Sequence, residues 1–78
     1  MKSSLHIRKR LTTGPFDNGK AIVYLDGQPV GRLSRNWKWL EARIDNYPHI
    51  PGGGRTLDTA LHSIAVTLNV YGLPEAIA

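Results

Sequence analysis

The chain contains no cysteine, so it can form neither a disulfide nor a thiolate metal site. Small secreted domains usually depend on one of these to stabilise a thin core. The absence therefore favours a cytosolic protein. A membrane-spanning helix is not expected either, because no run of about 18 apolar residues occurs. The N-terminal MKSSLHIRKRL also lacks the apolar segment of a signal peptide.

Positive charge is missing from the last part of the chain. The net charge is +4, yet no lysine or arginine follows Arg55. Any cationic surface must therefore come from the residues before this point. A net positive charge predicts an acidic partner or electrostatic steering toward one.

No catalytic or metal-binding pattern is present. His6, His49 and His62 fall in three different predicted elements, without the close ligand pair that a zinc or iron site requires. No serine has the setting of an activated nucleophile. The sequence therefore predicts no enzyme, no cofactor and no metal site.

A C-terminal helix is the strongest local prediction. The chain has 78 residues, of which 41% are hydrophobic and 21% charged, as in an ordinary single folded domain. Apolar residues recur at helical spacing in the last third of the chain, namely Leu57, Leu61, Ile64, Leu68 and Tyr71. Thr56 is a suitable N-cap and Gly72 a suitable stop. We predict a helix over about 57–71, with loose termini at 1–3 and 73–78.

Three earlier segments are predicted to be strands. Residues 5–12 alternate between apolar and basic side chains, as in a half-buried strand with a basic outer face. After a long loop over 13–19, residues 20–26 form a strand that runs into the hairpin signal Asp26-Gly27. Residues 29–34 form the return strand.

Residues 36–47 fit two alternatives. As a strand, Leu40, Ala42 and Ile44 face inward with a period of two. As a helix, Asn36 caps a stripe that includes Trp37. The strand is favoured, because the segment lies between a meander and a proline-rich turn. The fold class is then α+β, an antiparallel meander of three to four strands packed on one face by the C-terminal helix.

The glycine-rich segment 51–55 is interpreted as a flexible connector. Glycine amides before a helix can also bind phosphate. This segment, however, lacks the glycine spacing and the Lys-Ser/Thr step of a phosphate-binding loop.

Residues 47–61, YPHIPGGGRTLDTAL, resemble the signature of HicB-type antitoxins. In that signature an aromatic-Pro-Asp-Leu-Pro-Gly run ends a strand, and Gly-Asp-Thr then opens a helix. Ten positions match: Tyr47, Pro48, Ile50, Pro51, Gly52, Gly54, Thr56, Leu57, Ala60 and Leu61. His49 and Arg55 replace the two aspartates. The resemblance implies a sheet followed by a threonine-capped helix, in an antitoxin-like domain.

A surface of tryptophan and basic residues is the candidate site. Such a surface suits a protein hot spot or stacked nucleic-acid bases. The alternative is that one tryptophan covers the core and the basic residues only solvate the sheet. The candidate partner-binding residues are Arg8, Arg10, Arg32, Arg35, Trp37, Lys38, Trp39 and Arg43.

Size and charge together favour a binding protein. The first hypothesis is a small inhibitor or adaptor of the phage or mobile-element type, similar in size and composition to anti-CRISPR proteins. It would occlude a protein or ribonucleoprotein partner at an acidic or nucleic-acid-binding surface. The second is direct binding of DNA or RNA. No membrane partner is expected, and a homodimer could form through the edge of the first or last strand.

Overall fold

The computed structural model describes residues 4–74 as five strands and two helices. The elements in chain order are α1 (Ser4–Arg8), β1 (Leu11–Thr13), β2 (Lys20–Leu25), β3 (Gln28–Asn36), β4 (Trp39–Ile44), β5 (Tyr47–Gly54) and α2 (Leu57–Tyr71). The strands form one antiparallel sheet in the order β1-β2-β3-β4-β5. Helix α2 packs against β4 and β5, and α1 packs against α2. The predicted α+β meander with a C-terminal helix over 57–71 is confirmed, with five strands where three to four were expected.

The core lies between the inner face of the sheet and the helices. Alternate residues of β2 and β4 are buried, which gives the sheet one apolar face. The predicted stripe on α2 is only partly correct. Leu57 and Tyr71 are exposed, whereas Ala60 and Ala65 are fully buried. Small side chains at these two positions allow α2 to lie close to its neighbours.

Both ends of α2 are defined by local contacts. The Thr56 hydroxyl accepts a hydrogen bond from the Thr59 amide, and the Thr59 hydroxyl accepts one from the Thr56 amide. This reciprocal arrangement is a capping box. At the other end, the Tyr47 hydroxyl lies 2.9 Å from the Tyr71 carbonyl oxygen and 2.8 Å from that of Gly72. The predicted Thr56 cap and Gly72 stop are both confirmed.

The N-terminal segment differs from the prediction. Residues 5–12 were expected to form one strand, but the chain forms the short helix α1 and then β1. Ile7 and Leu11 are both buried. Their burial does not distinguish a helix from a strand, because residues four apart lie on the same face of either. The Arg8 guanidinium donates to the Asp58 carboxylate at 2.9 Å, which connects α1 to α2. The alternation of apolar and basic residues in this segment is too short to distinguish a strand from a helix. Packing against α2 therefore decides its structure.

The segment 51–55 was predicted to be a flexible connector. This is wrong for residues 51–54, which belong to strand β5. Gly52, Gly53 and Gly54 pair in register with Ala42, Glu41 and Leu40 of β4. The Gly53 amide also donates to the Ser63 hydroxyl of α2 at 3.1 Å. A glycine-rich stretch lacks the side-chain alternation of a strand, so the pattern could not reveal β5.

The glycines of β5 are required by the close approach of α2. A Cβ atom on Gly54 would lie 2.7 Å from Thr59 Cβ and 2.9 Å from the Ala60 amide nitrogen. A Cβ atom on Gly52 would lie 2.7 Å from Ser63 Oγ. Real Cβ atoms do not make contacts this short. Helix α2 therefore rests directly on the backbone of β5.

The two edges of the sheet differ in how they limit further strand pairing. Strand β1 has only three residues, and β5 contains Pro48 and Pro51, which have no amide hydrogen to donate. The homodimer expected through an edge strand stays a prediction.

The hairpin prediction at Asp26-Gly27 is confirmed, with φ of 52° and 83° at the two residues. Residues 39–44 form a strand, as favoured. Residues 1–3 and 75–78 of the expected loose termini lie outside the described residues. Leu73, expected to be loose, packs against the core. Within residues 4–74, no helix is both long and apolar enough to cross a bilayer.

The Gly54→Ala variant should be destabilised by about 2 to 4 kcal/mol, because the new methyl group meets helix backbone that cannot move away cheaply. Urea denaturation measures the change in the free energy of unfolding. Gly14→Ala is the matched control, since a Cβ there makes an ordinary contact of 3.5 Å with the Tyr24 ring. Equal stability of the two variants would contradict the close approach of α2.

Candidate binding surface

One end of the sheet collects exposed basic and tryptophan side chains. In an antiparallel meander, β2 and β4 begin at the end where β3 and β5 finish, and the register aligns Lys20, Ser34, Glu41 and Gly53. We call this end of the molecule the basic end. Its defining residues are Lys20, Arg35, Trp37, Lys38, Trp39 and Arg55, all exposed.

Trp37 occupies an unusual backbone position. Asn36 pairs with Trp39, so Trp37 and Lys38 alone connect β3 to β4. The φ angle of Trp37 is 63°, in the left-handed region where glycine or asparagine is normal. A bulky residue there costs about 1 kcal/mol. The side chain is nevertheless 84% exposed, so core packing does not offset this cost.

Trp39 is held more firmly. It lies on the outer face of β4 and is 46% exposed. Its indole covers Gly53, where an added Cβ would lie 2.7 Å from the Trp39 Nε1 atom. Beside the ring is an open cleft of about 330 Å³ that reaches Pro51 and Ser63. Trp39 therefore offers an aromatic surface supported by the backbone of β5, and the exposed residue Lys38 precedes it in the chain.

The four cations of the basic end have no carboxylate partner among the described residues. Lys20, Arg35, Lys38 and Arg55 form no ion pair there. Arg35 is positioned through its amide, which donates to the Gly19 carbonyl oxygen at 2.7 Å. Unpaired charges on one end attract an oppositely charged surface without first breaking internal bonds.

Carboxylates mark the turns at the opposite end of the sheet. Asp26 lies in the β2–β3 turn and Asp45 in the β4–β5 turn. Two carboxylates lie nearer the basic end: the backbone of Asp17 pairs with Lys20, and Glu41, which binds Arg43, lies in the same register row as Lys20. The meander thus separates most of the unpaired positive charge from the acidic turns.

Three predicted site residues are engaged elsewhere. Arg8 pairs with Asp58 on the helical side of the molecule. Arg10 donates to both carboxylate oxygens of Asp26. Both arginines therefore lie away from the tryptophans, because tertiary ion pairs that the sequence pattern does not show hold them there.

Arg43 is the third engaged residue. It lies on the outer face of β4, donates to Glu41 at 3.0 Å and also donates to the Ile50 carbonyl oxygen at 3.3 Å. Arg32 is different, because it lies on the outer face between Ile22 and Arg43 and forms no ion pair among residues 4–74.

Of the predicted site residues, Arg35, Trp37, Lys38 and Trp39 lie together in the β3–β4 hairpin, although the favoured strand over 36–47 placed no turn at Trp37 and Lys38. The predicted set omitted Lys20 and Arg55. The position of Arg55 depends on β5, which was taken for a connector. Lys20 could have been included from the sequence. It was predicted to begin a strand, and in an antiparallel hairpin the first residue of one strand lies beside the last residues of the next.

The described residues hold no group of three or more histidine, aspartate or glutamate side chains that could share a metal ion. Comparison with protein-family models, curated proteins and solved structures finds no significant match to this chain. The sheet and Thr56-capped helix implied by the antitoxin resemblance are present, and the antitoxin-like function stays a prediction.

The ion pair between Arg10 and Asp26 predicts a pH dependence. The hydrogen bond from Arg10, and secondarily its positive charge, lowers the pKa of the Asp26 carboxyl below its ordinary value of 3.8. The stabilisation is then present above this value and is lost as the pH falls below it. Asp26→Asn should be less stable than the wild type at about pH 7, and this difference should shrink as the pH falls below 3.8 toward about pH 2.

Urea denaturation at the two pH values measures this convergence. Asparagine also tolerates the left-handed backbone at residue 26, so the substitution isolates the charge. Arg10→Gln removes the same pair from the other side and should converge in the same way. A difference from wild type that persists unchanged at low pH would contradict the assignment.

Proposed function

We propose that this chain is a non-enzymatic protein-binding module, an inhibitor or adaptor that uses its basic end to occlude an acidic surface of a partner protein. Trp37 carries the proposal. Glycine at this turn would relieve the backbone strain, and the exposed indole contributes nothing to the core. Strained residues of this kind cluster at sites of ligand contact.

The composition of the basic end supports a protein partner. Tryptophan and arginine dominate the energetics of protein interfaces, where one aromatic side chain fills a pocket on the partner. Lys20, Lys38 and Arg55 lie at the same end of the sheet as the two tryptophans and would steer the encounter.

The position of the aromatic residues favours protein over single-stranded nucleic acid. Successive bases stack on aromatic residues spread along a basic groove. Here both tryptophans lie at one end of the sheet, and the central row of the outer face contains Ile22, Arg32 and Arg43. A hairpin end with one projecting indole suits insertion into a partner's cleft.

The proposal includes a cytosolic location, supported by the absence of cysteine. It also includes the type of protein, a small inhibitor comparable in size and charge to anti-CRISPR proteins. That comparison rests on composition alone.

Trp37→Gly should separate stability from binding. The free energy of unfolding should rise by about 1 kcal/mol, because glycine adopts a positive φ without strain. Capture of a specific protein from nuclease-treated extract of the source organism should fall at least about tenfold, as expected for a hot-spot residue. Urea denaturation and quantitative mass spectrometry of the captured proteins measure the two effects.

Val70→Ala is the matched control. Val70 is 67% exposed on α2, away from the basic end, and its truncation should leave capture unchanged. Two results would contradict the proposal. One is a loss of stability in Trp37→Gly, which would make the indole structural. The other is capture abolished by nuclease, together with steeply salt-dependent binding of the purified chain to generic DNA or RNA.

A further inference from the structure

The outer face of the sheet contains a second concave region, distinct in composition from the basic end. It is a groove of about 610 Å³ that runs over β2 and β3, between the β1–β2 loop and the β4–β5 turn. A groove of this size can hold a drug-sized molecule. Its lining includes Pro15, Asp17, Lys20, Ile22, Pro29, Arg32 and Asp45, and neither tryptophan contributes to it.

The groove contains opposite charges that do not neutralise each other. Arg32 and Asp45 both line it, and among residues 4–74 neither side chain forms a hydrogen bond or an ion pair. The Asp45 amide is fixed by donation to the Val30 carbonyl oxygen at 2.9 Å. A guanidinium and a carboxylate are therefore presented to the same space, each with its full hydrogen-bonding capacity.

Apart from Asp17, Asn18 and Lys20, the remaining wall is apolar and restrained. Ile22 lies beside Arg32 in the sheet register and is 49% exposed, although it belongs to a central stretch of β2. Pro15 and Pro29 flank the groove, and their rings restrict the backbone on both sides. A preformed apolar wall lowers the entropic cost of binding.

The charge balance selects the class of ligand. Lys20 and Arg32 supply two positive charges to the groove, and Asp17 and Asp45 supply two negative ones. A polyanion would meet both aspartates, so the groove does not extend the basic end. A molecule that carries one charge of each sign matches it.

We propose that this groove binds a small zwitterionic peptide with apolar side chains. The carboxylate of the ligand would pair with the Arg32 guanidinium, which presents a planar fork of donors. Its ammonium group would pair with Asp45, and an apolar side chain would cover Ile22. The groove shares only Lys20 with the basic end, and this proposal does not rest on the protein-binding function proposed there.

Titration of the purified chain with the dipeptide Leu-Leu, followed by amide NMR shifts, tests the site. The amides of Ile22, Arg32 and Asp45 should shift in a saturable manner. N-acetyl-Leu-Leu, which lacks the ammonium, and Leu-Leu-amide, which lacks the carboxylate, should each bind about tenfold more weakly. No saturable shift at these residues, or equal affinity for all three peptides, would overturn the proposal.

Two substitutions assign the contacts. Arg32→Gln should bind Leu-Leu and Leu-Leu-amide equally, because the partner of the carboxylate is gone. Asp45→Asn should bind Leu-Leu and N-acetyl-Leu-Leu equally. If either variant retains the full discrimination of the wild type, the assigned contact is wrong. Should a variant fail to fold, the three peptides on the wild-type chain still decide the result.

Trp37→Gly distinguishes this site from the basic end. It should retain the wild-type affinity for Leu-Leu even where it no longer captures a protein from extract. Loss of Leu-Leu binding in this variant would overturn the independence of the groove.

Discussion

The separation between α2 and β5 is the constraint on which the rest of the structure depends. Gly52 and Gly54, together with the small residues Ala60 and Ala65, let the helix lie against strand backbone. This position brings Asp58 within reach of Arg8, beside the packing of α1 on α2. On the other side of the same strand, the Trp39 indole covers Gly53. A thin layer of backbone therefore separates the scaffold from the candidate binding surface.

Ion pairing determines which cations can contact another molecule. Arg8, Arg10 and Arg43 each have a carboxylate partner. Lys20, Arg35, Lys38 and Arg55 have none among residues 4–74, and the antiparallel meander brings these four to one end. A modest net charge of +4 thus becomes a local concentration of charge beside two tryptophans. The outer-face groove, by contrast, contains equal numbers of positive and negative side chains, so the excess positive charge lies outside it.

The sequence predicted those parts of the fold whose pattern is strong. The helix bounds followed from a clear period and from Thr56 and Gly72, and the 26–27 hairpin from its turn residues. Strand β5 could not be predicted, because glycine and proline carry no alternation and the strand exists only through pairing with β4 and contact with α2. Trp37 was expected within one strand or helix over 36–47, and neither its place in a two-residue turn nor its left-handed backbone has a signature in the residue types. Arg8 and Arg10 were misleading because their partners are distant in sequence.

The order in which the elements are synthesised gives β5 a further role. The apolar face of β4 is covered by α2, which is synthesised after it. Until α2 has left the ribosome, the incomplete sheet can associate with another chain. The last strand completed before α2 carries Pro48 and Pro51, and glycine at its end. This composition makes it a poor template for strand addition. The composition that lets β5 support the helix is therefore also one that disfavours pairing with a second chain.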